Sequence, residues 1–336
     1  MNRILAFALF LSLLGCSEVR QSPEENVSHS DIPAPIALVI HGGAGTIPRG
    51  SLSPEKEQAY HDMMKIALDS GYAKLEAGKP AVEAVLAAIQ VLENSPLFNA
   101  GKGAVFTSEG TNELDASIME GKTLSAGAVA GVKTIKNPIL AAHAVMTKSP
   151  HVMLAGEGAE RFAEEQGLEI VPNSYFFDSA RYRQFQRSIQ KENVNDSKFG
   201  TVGCVALDKF GDIAAGTSTG GMTNKKFGRI GDAPIIGAGT YANNATCGIS
   251  STGWGEFFIR LAVAHDISAL IEYQGMDLNG AAEKVIVDKL GSLGGTGGVI
   301  GLTRDGQITM TFNTDGMYRG YKRQGEPTKT FIYKDE

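Results

Sequence analysis

The apolar segments of this chain come in paired blocks, and their order narrows the fold more than any single motif. Residues 36–40 form a continuous apolar run of buried-strand length that stops at the glycine-rich HGGAGT of residues 41–46. Ser53 and Pro54 then open a helical pattern with a capping hydroxyl, a proline in the first turn and acidic Glu55 and Glu57, ending at Gly78. A second helix starts at Pro80 and spaces Val82, Val85, Leu86, Ile89 and Leu92 along one face. Strand character follows at 104–106, 116–119 and 126–132, and helical character at 138–148, 159–166 and 182–190. Beyond residue 200, strands at 202–207 and 213–217 precede helices at 256–267 and 281–290. A hairpin pairing 299–302 with 308–312 around Arg304-Asp305-Gly306 closes the pattern. Strict strand–helix alternation would give a doubly wound parallel sheet. Paired blocks predict instead an α/β fold with two packed sheets covered by helices on both outer faces, a four-layer αββα sandwich.

Composition bounds the partners. The 336 residues are 43% hydrophobic and 20% charged, enough for a sizeable core. A net charge of −6, with no basic stripe, argues against nucleic acid. Arg3, the apolar run 4–14, Gly15 and Cys16 follow the order of an export signal and are too short to span a membrane as a stable helix. The LLGC at 13–16 is similar to a bacterial lipobox, in which Cys16 is lipidated after cleavage, although Leu14 stands where a small residue is usual. The expectation is a signal peptide at 1–16 and a polar tether at 17–35. The protein would be exported to the bacterial periplasm or cell envelope, touching membrane only through a lipid anchor. Cys204 and Cys247 lie in apolar or small-residue runs and are expected to be buried thiols, with a bridge left open in an oxidising compartment. No CxxC or His-rich spacing supports zinc.

The stretch SIQKENVNDSKFG, residues 188–200, has almost nothing to bury, and a strand-like run begins two residues later. Gly200-Thr201 at that junction allows two readings: a loop meeting a strand, or a site where the chain is cut. The second has chemical sense. A threonine hydroxyl stays protonated at neutral pH and needs a base within hydrogen-bond reach. A free α-amino group, with an ordinary pKa of about 7.7–8.0, is well placed for that task. Cleavage before Thr201 would put nucleophile and base on one residue, and glycine at 200 tolerates the strained backbone such a cut requires. Gly-Thr pairs are common, so the pair alone does not decide.

The surrounding motifs do. GTVGCVALD, GTSTGG, GRIGDAPIIGAGTYA and STGWGE together resemble the plant-type L-asparaginase/isoaspartyl peptidase family of N-terminal-nucleophile hydrolases. HGGAGT at 41–46, FNAGKGAVFT at 98–107, ELDASIM at 113–119 and FNTDGMYRG at 312–320 agree, so the resemblance runs over residues 36–320. It implies an αββα sandwich over 36–336 that cuts itself between Gly200 and Thr201 into an α subunit, 36–200, and a β subunit, 201–336. It also implies an (αβ)2 assembly of these heterodimers. The small-molecule substrates implied are L-asparagine and β-aspartyl dipeptides, with no cofactor for catalysis. Thr201 matches the nucleophile, and Thr219 the second threonine that orients or polarises it. Arg229 and Asp232 match the pair gripping the substrate's α-carboxylate and α-amine, Thr252 and Gly253 the oxyanion hole, and Asn99 an asparagine near the nucleophile's amine. The loop 92–102 matches one whose backbone carbonyls, here of Leu92, Glu93, Ser95, Phe98, Ala100 and Lys102, hold a structural sodium ion.

The residue types suit these roles. A guanidinium fork fits a carboxylate, a carboxylate fits an ammonium, and a hydroxyl beside a backbone N–H fits an oxyanion. Outside the family pattern, Arg229 and Asp232 would read as a turn ion pair, Thr219 and Thr252 as turn residues, and Asn99 as a loop cap. His41, flanked by glycine after a strand, reads as structural rather than as a base. Phe199 stands where many relatives carry His, and Trp254 adds bulk inside the oxyanion motif. Two rival readings are glycosylasparaginase, whose members usually place Asp where this chain has Gly200, and a non-catalytic binding lipoprotein, which needs no free-threonine machinery.

Overall fold

The computed structural model describes residues 35–190 and 200–336. The export segment with Cys16, the tether up to residue 34, and the 191–199 linker with Phe199 lie outside the described residues. All described residues belong to one compact unit, Pro33–Glu336.

Two sheets form the centre. The larger has eight strands in the order β12-β11-β1-β5-β6-β2-β3-β4. These are β1 (Ala37–Gly45), β2 (Leu114–Glu120), β3 (Ala126–Val132), β4 (Met153–Ala155), β5 (Val202–Leu207), β6 (Ile213–Thr219), β11 (Gly316–Arg323) and β12 (Lys329–Tyr333). All neighbours are antiparallel except β3 and β4. The smaller sheet orders β10-β9-β8-β7, with β7 (Thr240–Ala242), β8 (Cys247–Gly253), β9 (Gly297–Thr303) and β10 (Ile308–Thr309). Helices α1 (Pro54–Glu76), α2 (Ala81–Glu93) and α3 (Pro138–Lys148) cover the outer face of the large sheet. Helices α4 (Gly156–Glu165) and α5 (Ser179–Gln190) follow in the chain. On the outer face of the small sheet lie α6 (Gly255–Leu261), α7 (Val263–Gln274) and α8 (Leu278–Glu283), the last running into a π-helical stretch, Lys284–Leu290. The layers are α/β/β/α, as the paired blocks predicted.

Side-chain alternation explains why the strands read as unbroken apolar runs. Leu38, Ile40, Cys204, Ala206 and Ala214 point to the α1–α3 layer with Met64, Leu68, Val85 and Ile89. Their neighbours Ala37, Val39, Val205, Leu207, Ile213 and Ala215 point to the small sheet with Ile300 and Leu302. A sheet buried on both faces has no polar side to show. Helix α1 starts where expected: Ser53 Oγ accepts from Lys56 N at 3.3 Å, with Pro54 in the first turn. Cys204 and Cys247 are buried free thiols, and burial pushes the Cys247 thiol up to about 12.

Three sequence expectations need correction, and two strands were not anticipated. The glycine-rich HGGAG does not end the first strand; β1 runs through it against β11, with a bulge between His41 and Gly43. A side chain at Gly42 would put its Cβ 2.4 Å from the Phe98 ring, so these glycines serve close approach. The strand expected at 104–106 is a 3-10 turn, Gly101–Gly103, followed by a single bridge from Phe106 to Asn112. The helix expected at 256–267 breaks at Ala262, which sits at φ 47°. There the first N–H groups of α7 turn outward to serve a loop: Ala264 N and His265 N donate to the carbonyls of Ala238 and Gly237. Strands β11 and β12 close the far edge without having been anticipated.

Candidate active site

Strand register places the threonines. Gly203 on β5 pairs with Thr217 on β6, Val202 pairs with Ser218, and Asp115 on β2 pairs with Thr219. Thr201, Thr219 and Asp115 therefore form a polar row across three strands, on the face turned to the small sheet, where the apolar inter-sheet core gives out. Thr201 Oγ1 and Thr219 Oγ1 are 3.1 Å apart. Thr219 Oγ1 also lies 3.2 Å from the Gly200 carbonyl oxygen and accepts from Gly221 N at 3.0 Å. A carbonyl only accepts, so the Thr219 hydrogen goes to Gly200 O. The Thr201 hydrogen then points to Thr219 Oγ1. The Thr219 hydroxyl thus donates to the Gly200 carbonyl while it receives the Thr201 hydrogen bond.

Asn99 buttresses this junction. Its Nδ2 donates to Gly221 O at 2.7 Å and its Oδ1 accepts from Val105 N at 2.9 Å. A Cβ at Gly200 would stand 2.9 Å from Asn99 Cβ, which is the close approach that glycine at 200 permits. Asn99 and Gly200 also border a cavity of about 910 Å³, together with Gly42, Thr223, Trp254 and Tyr318.

The second cluster joins the loop after β6 to the start of α6. Asp232 is buried, its Oδ2 has no partner, and burial pushes its carboxyl up to about 7. A Cβ at Gly255 would lie 2.8 Å from both Asp232 Oδ1 and an Arg229 terminal nitrogen, so the two side chains converge on Gly255. Arg229 does not pair with Asp232. It donates from Nε and Nη2 to the two oxygens of Glu256, each at 2.9 Å. Glu256 closes the STGWGE motif but drew no attention as a partner. Thr252 is buried and its Oγ1 accepts from Ala44 N at 3.3 Å, which leaves its hydrogen free for another acceptor. Gly253, next along β8, admits no side chain: a Cβ would meet Thr296 O at 2.5 Å.

One further group, Asp115, was missed, while His41 is no base, as expected. Asp115, visible in ELDASIM, is buried; Oδ1 accepts from Gly131 N at 2.8 Å, and Oδ2 lies 3.9 Å from the buried Lys225 ammonium. Burial raises its pKa while Lys225, the Gly131 hydrogen bond and then Arg229 oppose the rise. His41 lies fully buried, with Nδ1 2.9 Å from Thr201 O and Nε2 2.9 Å from Ser250 Oγ. Burial pulls its pKa down to about 3, so it is a neutral hydrogen-bonding group and not a base. Gly203 makes room for it: a Cβ there would fall 2.0 Å from Ser250 Oγ and 2.3 Å from His41 Nε2. Gly203→Ala is accordingly expected to lower unfolding stability by about 1–3 kcal/mol through overpacking. Urea denaturation checks this; an unchanged midpoint would contradict it.

The loop between α2 and β2 suits a hard cation. It folds backbone oxygens over two glycines: a Cβ at Gly101 would lie 2.3 Å from Glu93 O, and one at Gly103 2.0 Å from Phe98 O and 2.7 Å from Pro96 O. Backbone oxygens are the donors that a hard cation prefers. The Glu93 side chain faces the other way into the core, accepting from Ser218 Oγ at 2.6 Å, Asn137 Nδ2 at 2.9 Å and Ile139 N at 3.1 Å. Burial pushes its carboxyl up to about 7.

Two sheets packed between helical layers, with a hydroxyl pair at the end of the central strands, give the protein an αββα sandwich architecture. Comparison with known proteins makes the assignment specific. The family profile described as "Asparaginase" matches residues 34–332, and the chain belongs to that family. It is 49% identical over 308 residues to an isoaspartyl peptidase of Salmonella typhimurium, covering 89% of this chain and 98% of the relative. An Escherichia coli isoaspartyl peptidase is 48% identical over 310 residues, 89% of this chain and 96% of its own. A plant-type L-asparaginase of Pyrobaculum calidifontis is 40% identical over 297 residues, 86% of this chain and 97% of its own.

Proposed function

We propose that this chain is a self-cleaving threonine hydrolase that releases L-aspartate from isoaspartyl dipeptides and from L-asparagine. The observation that carries the reading is Thr201 at the mouth of a buried strand, its hydroxyl on Thr219 and the preceding Gly200 carbonyl held by the same Thr219 hydroxyl. The kinship with isoaspartyl peptidases at 49% and 48% identity supports the substrate class.

In the uncut chain, attack by Thr201 Oγ1 on the Gly200 carbonyl carbon, followed by hydrolysis, would free the Thr201 amine and divide the protein into α and β subunits. In the matured enzyme the amine takes the hydroxyl proton as Oγ1 attacks the side-chain carbonyl carbon of the substrate. The carbon–nitrogen bond breaks and the proton leaves with ammonia or the departing amino acid. Water then opens the β-aspartyl ester, with the amine again as base, and aspartate departs. Thr252 Oγ1–H and Gly253 N–H take the oxyanion. Arg229 receives the substrate α-carboxylate, held in place by Glu256, and the unpartnered Asp232 oxygen receives the α-ammonium. Sodium would be held by the carbonyls of Leu92, Glu93, Ser95, Phe98, Ala100 and Lys102; it would brace the loop carrying Asn99 and take no part in the chemistry. Assembly as (αβ)2 dimers belongs to this reading.

Turnover tests it. Matured protein given β-Asp-Leu and asparagine should release aspartate from both, and hydroxylamine should divert part of the product to β-aspartyl hydroxamate. Release from N4-(N-acetylglucosaminyl)asparagine alone would favour glycosylasparaginase; no release from any of the three would favour a binding protein.

Export belongs to the proposal as well. Residues before 34 precede the family match, and among the described residues no helix is long and apolar enough to cross a membrane. Cys16→Ala should move the protein from the membrane pellet to the soluble fraction of a bacterial host. Recovery of the unsubstituted protein in the soluble fraction would contradict lipidation.

A further inference from the structure

We infer that His41 is a positioning residue for the nucleophile: its imidazole holds the Thr201 carbonyl and so fixes the rotation that aims the Thr201 amine and hydroxyl together. The inference rests on Thr201 being the nucleophile, and it adds a residue that the motif pattern left as structural.

The ladder between β1 and β5 ends at the His41–Gly203 pair, just before the bulge in β1. Beyond that point the β1 backbone no longer holds Thr201, and the His41 side chain takes over, with Nδ1 2.9 Å from Thr201 O. A carbonyl only accepts, so Nδ1 carries the hydrogen. Nε2 then offers a lone pair, and Ser250 donates to it at 2.9 Å.

Buried hydroxyls back the imidazole. Ser250 Oγ lies 2.7 Å from Thr217 Oγ1, which lies 2.6 Å from Thr240 Oγ1. Ser117 Oγ follows at 2.8 Å and donates to Ala233 O at 2.6 Å, beside Asp232. All five polar side chains are buried. Each hydroxyl has one hydrogen. Ser117 donates to the Ala233 carbonyl, Thr217 has the Gly239 carbonyl 3.0 Å from its Oγ1, and Ser250 donates to His41 Nε2. A buried hydroxyl cluster of this kind restrains the groups at its edge.

The nucleophile needs that rigidity after cleavage. Thr201 is then joined covalently to the protein only through its carbonyl carbon, and turning about its Cα–C bond swings amine and hydroxyl together, against the single restraint of the Thr219 contact. Anchoring the carbonyl removes that freedom before substrate arrives.

The test compares His41→Leu, His41→Asn and Ser250→Ala, with kcat normalised to the cleaved fraction seen on a denaturing gel. Asparagine can present its amide hydrogen where Nδ1 stood. His41→Leu should lower kcat about 100-fold, the scale of a small misplacement, with KM within about threefold of the unsubstituted enzyme. His41→Asn should recover kcat to within about tenfold, and Ser250→Ala should fall between the two. A His41→Leu enzyme with unchanged kcat, a loss expressed in KM, or an asparagine variant no better than leucine would each overturn the inference. If the leucine variant does not fold, the asparagine variant decides alone: kcat more than about 100-fold down at an unchanged thermal midpoint would contradict the role. Unsubstituted protein that is inactive, or cut elsewhere than before Thr201, would sink the parent reading; an active, correctly cut enzyme indifferent to His41 would sink only this inference.

Discussion

Thr201→Ala is expected to purify as one uncut chain and to release aspartate at least about 10,000-fold more slowly than the matured enzyme, the scale on which enzymes lose an activated nucleophile. Two failures combine in one substitution. Without Oγ1 nothing attacks the Gly200 carbonyl, so the amine that would serve as base stays locked in a peptide bond. Without Oγ1 there is also nothing to form the ester. Thr201→Ser separates this from a packing effect, because serine keeps the oxygen and its contact with Thr219, 3.1 Å away in the parent, and drops only a methyl group. It should still divide and still turn over. Both are measured by denaturing gel and by aspartate release. A Thr201→Ala chain that retains more than about a thousandth of the activity would place the nucleophile elsewhere.

Asp232→Asn should also cost substantial activity while making the empty protein more robust. The Asp232 carboxylate is buried and one oxygen has no partner, an arrangement that favours a bound ammonium group over an empty pocket. Removing one side of a buried charge contact costs about 2–5 kcal/mol, so kcat/KM should fall about 30- to 4000-fold, chiefly through KM. Without substrate the sign reverses. The carboxyl sits at about 7 instead of 3.8, so between these values the folded chain holds a proton that the unfolded chain has released. Its contribution to stability is full below about 4 and is lost as pH rises through about 7. The asparagine variant avoids that loss, and its thermal midpoint should exceed the parent's at pH 8 by a margin that shrinks towards pH 4. Below about pH 7, log kcat/KM of the parent should climb with a slope near two, one proton from the Thr201 amine and one from Asp232. The variant should show a slope near one. Equal slopes, or a lower midpoint at pH 8, would remove Asp232 from the ammonium site.

How much of this was readable in the chain depended on the range of the interactions involved. Helix starts at Ser53-Pro54 and the strand at 202–207 rest on local spacing, and the structure places them where the sequence did. Thr219, Thr252 and Asp232 were reachable only through motif resemblance, since nothing local separates them from turn residues. His41 was read as structural because its role depends on the register of β1 against β5, which brings together residues 160 positions apart. Glu256 was overlooked for a similar reason: its partner Arg229 lies 27 residues back, across the whole of β7 and β8. HGGAG looked like a loop because glycine usually ends strands; here it allows β1 to run tight under Phe98. The break at Ala262 has no local signal, because alanine is the best helix former and only the carbonyls of Gly237 and Ala238 draw the next turn aside.

Intact-mass analysis of a preparation whose turnover has been titrated is the most direct test. The prediction is that activity rises in proportion to a fragment whose mass corresponds to residues 201–336, with threonine as its first residue. A sample turning over at full rate in which every molecule still carries the Gly200–Thr201 bond would contradict the account.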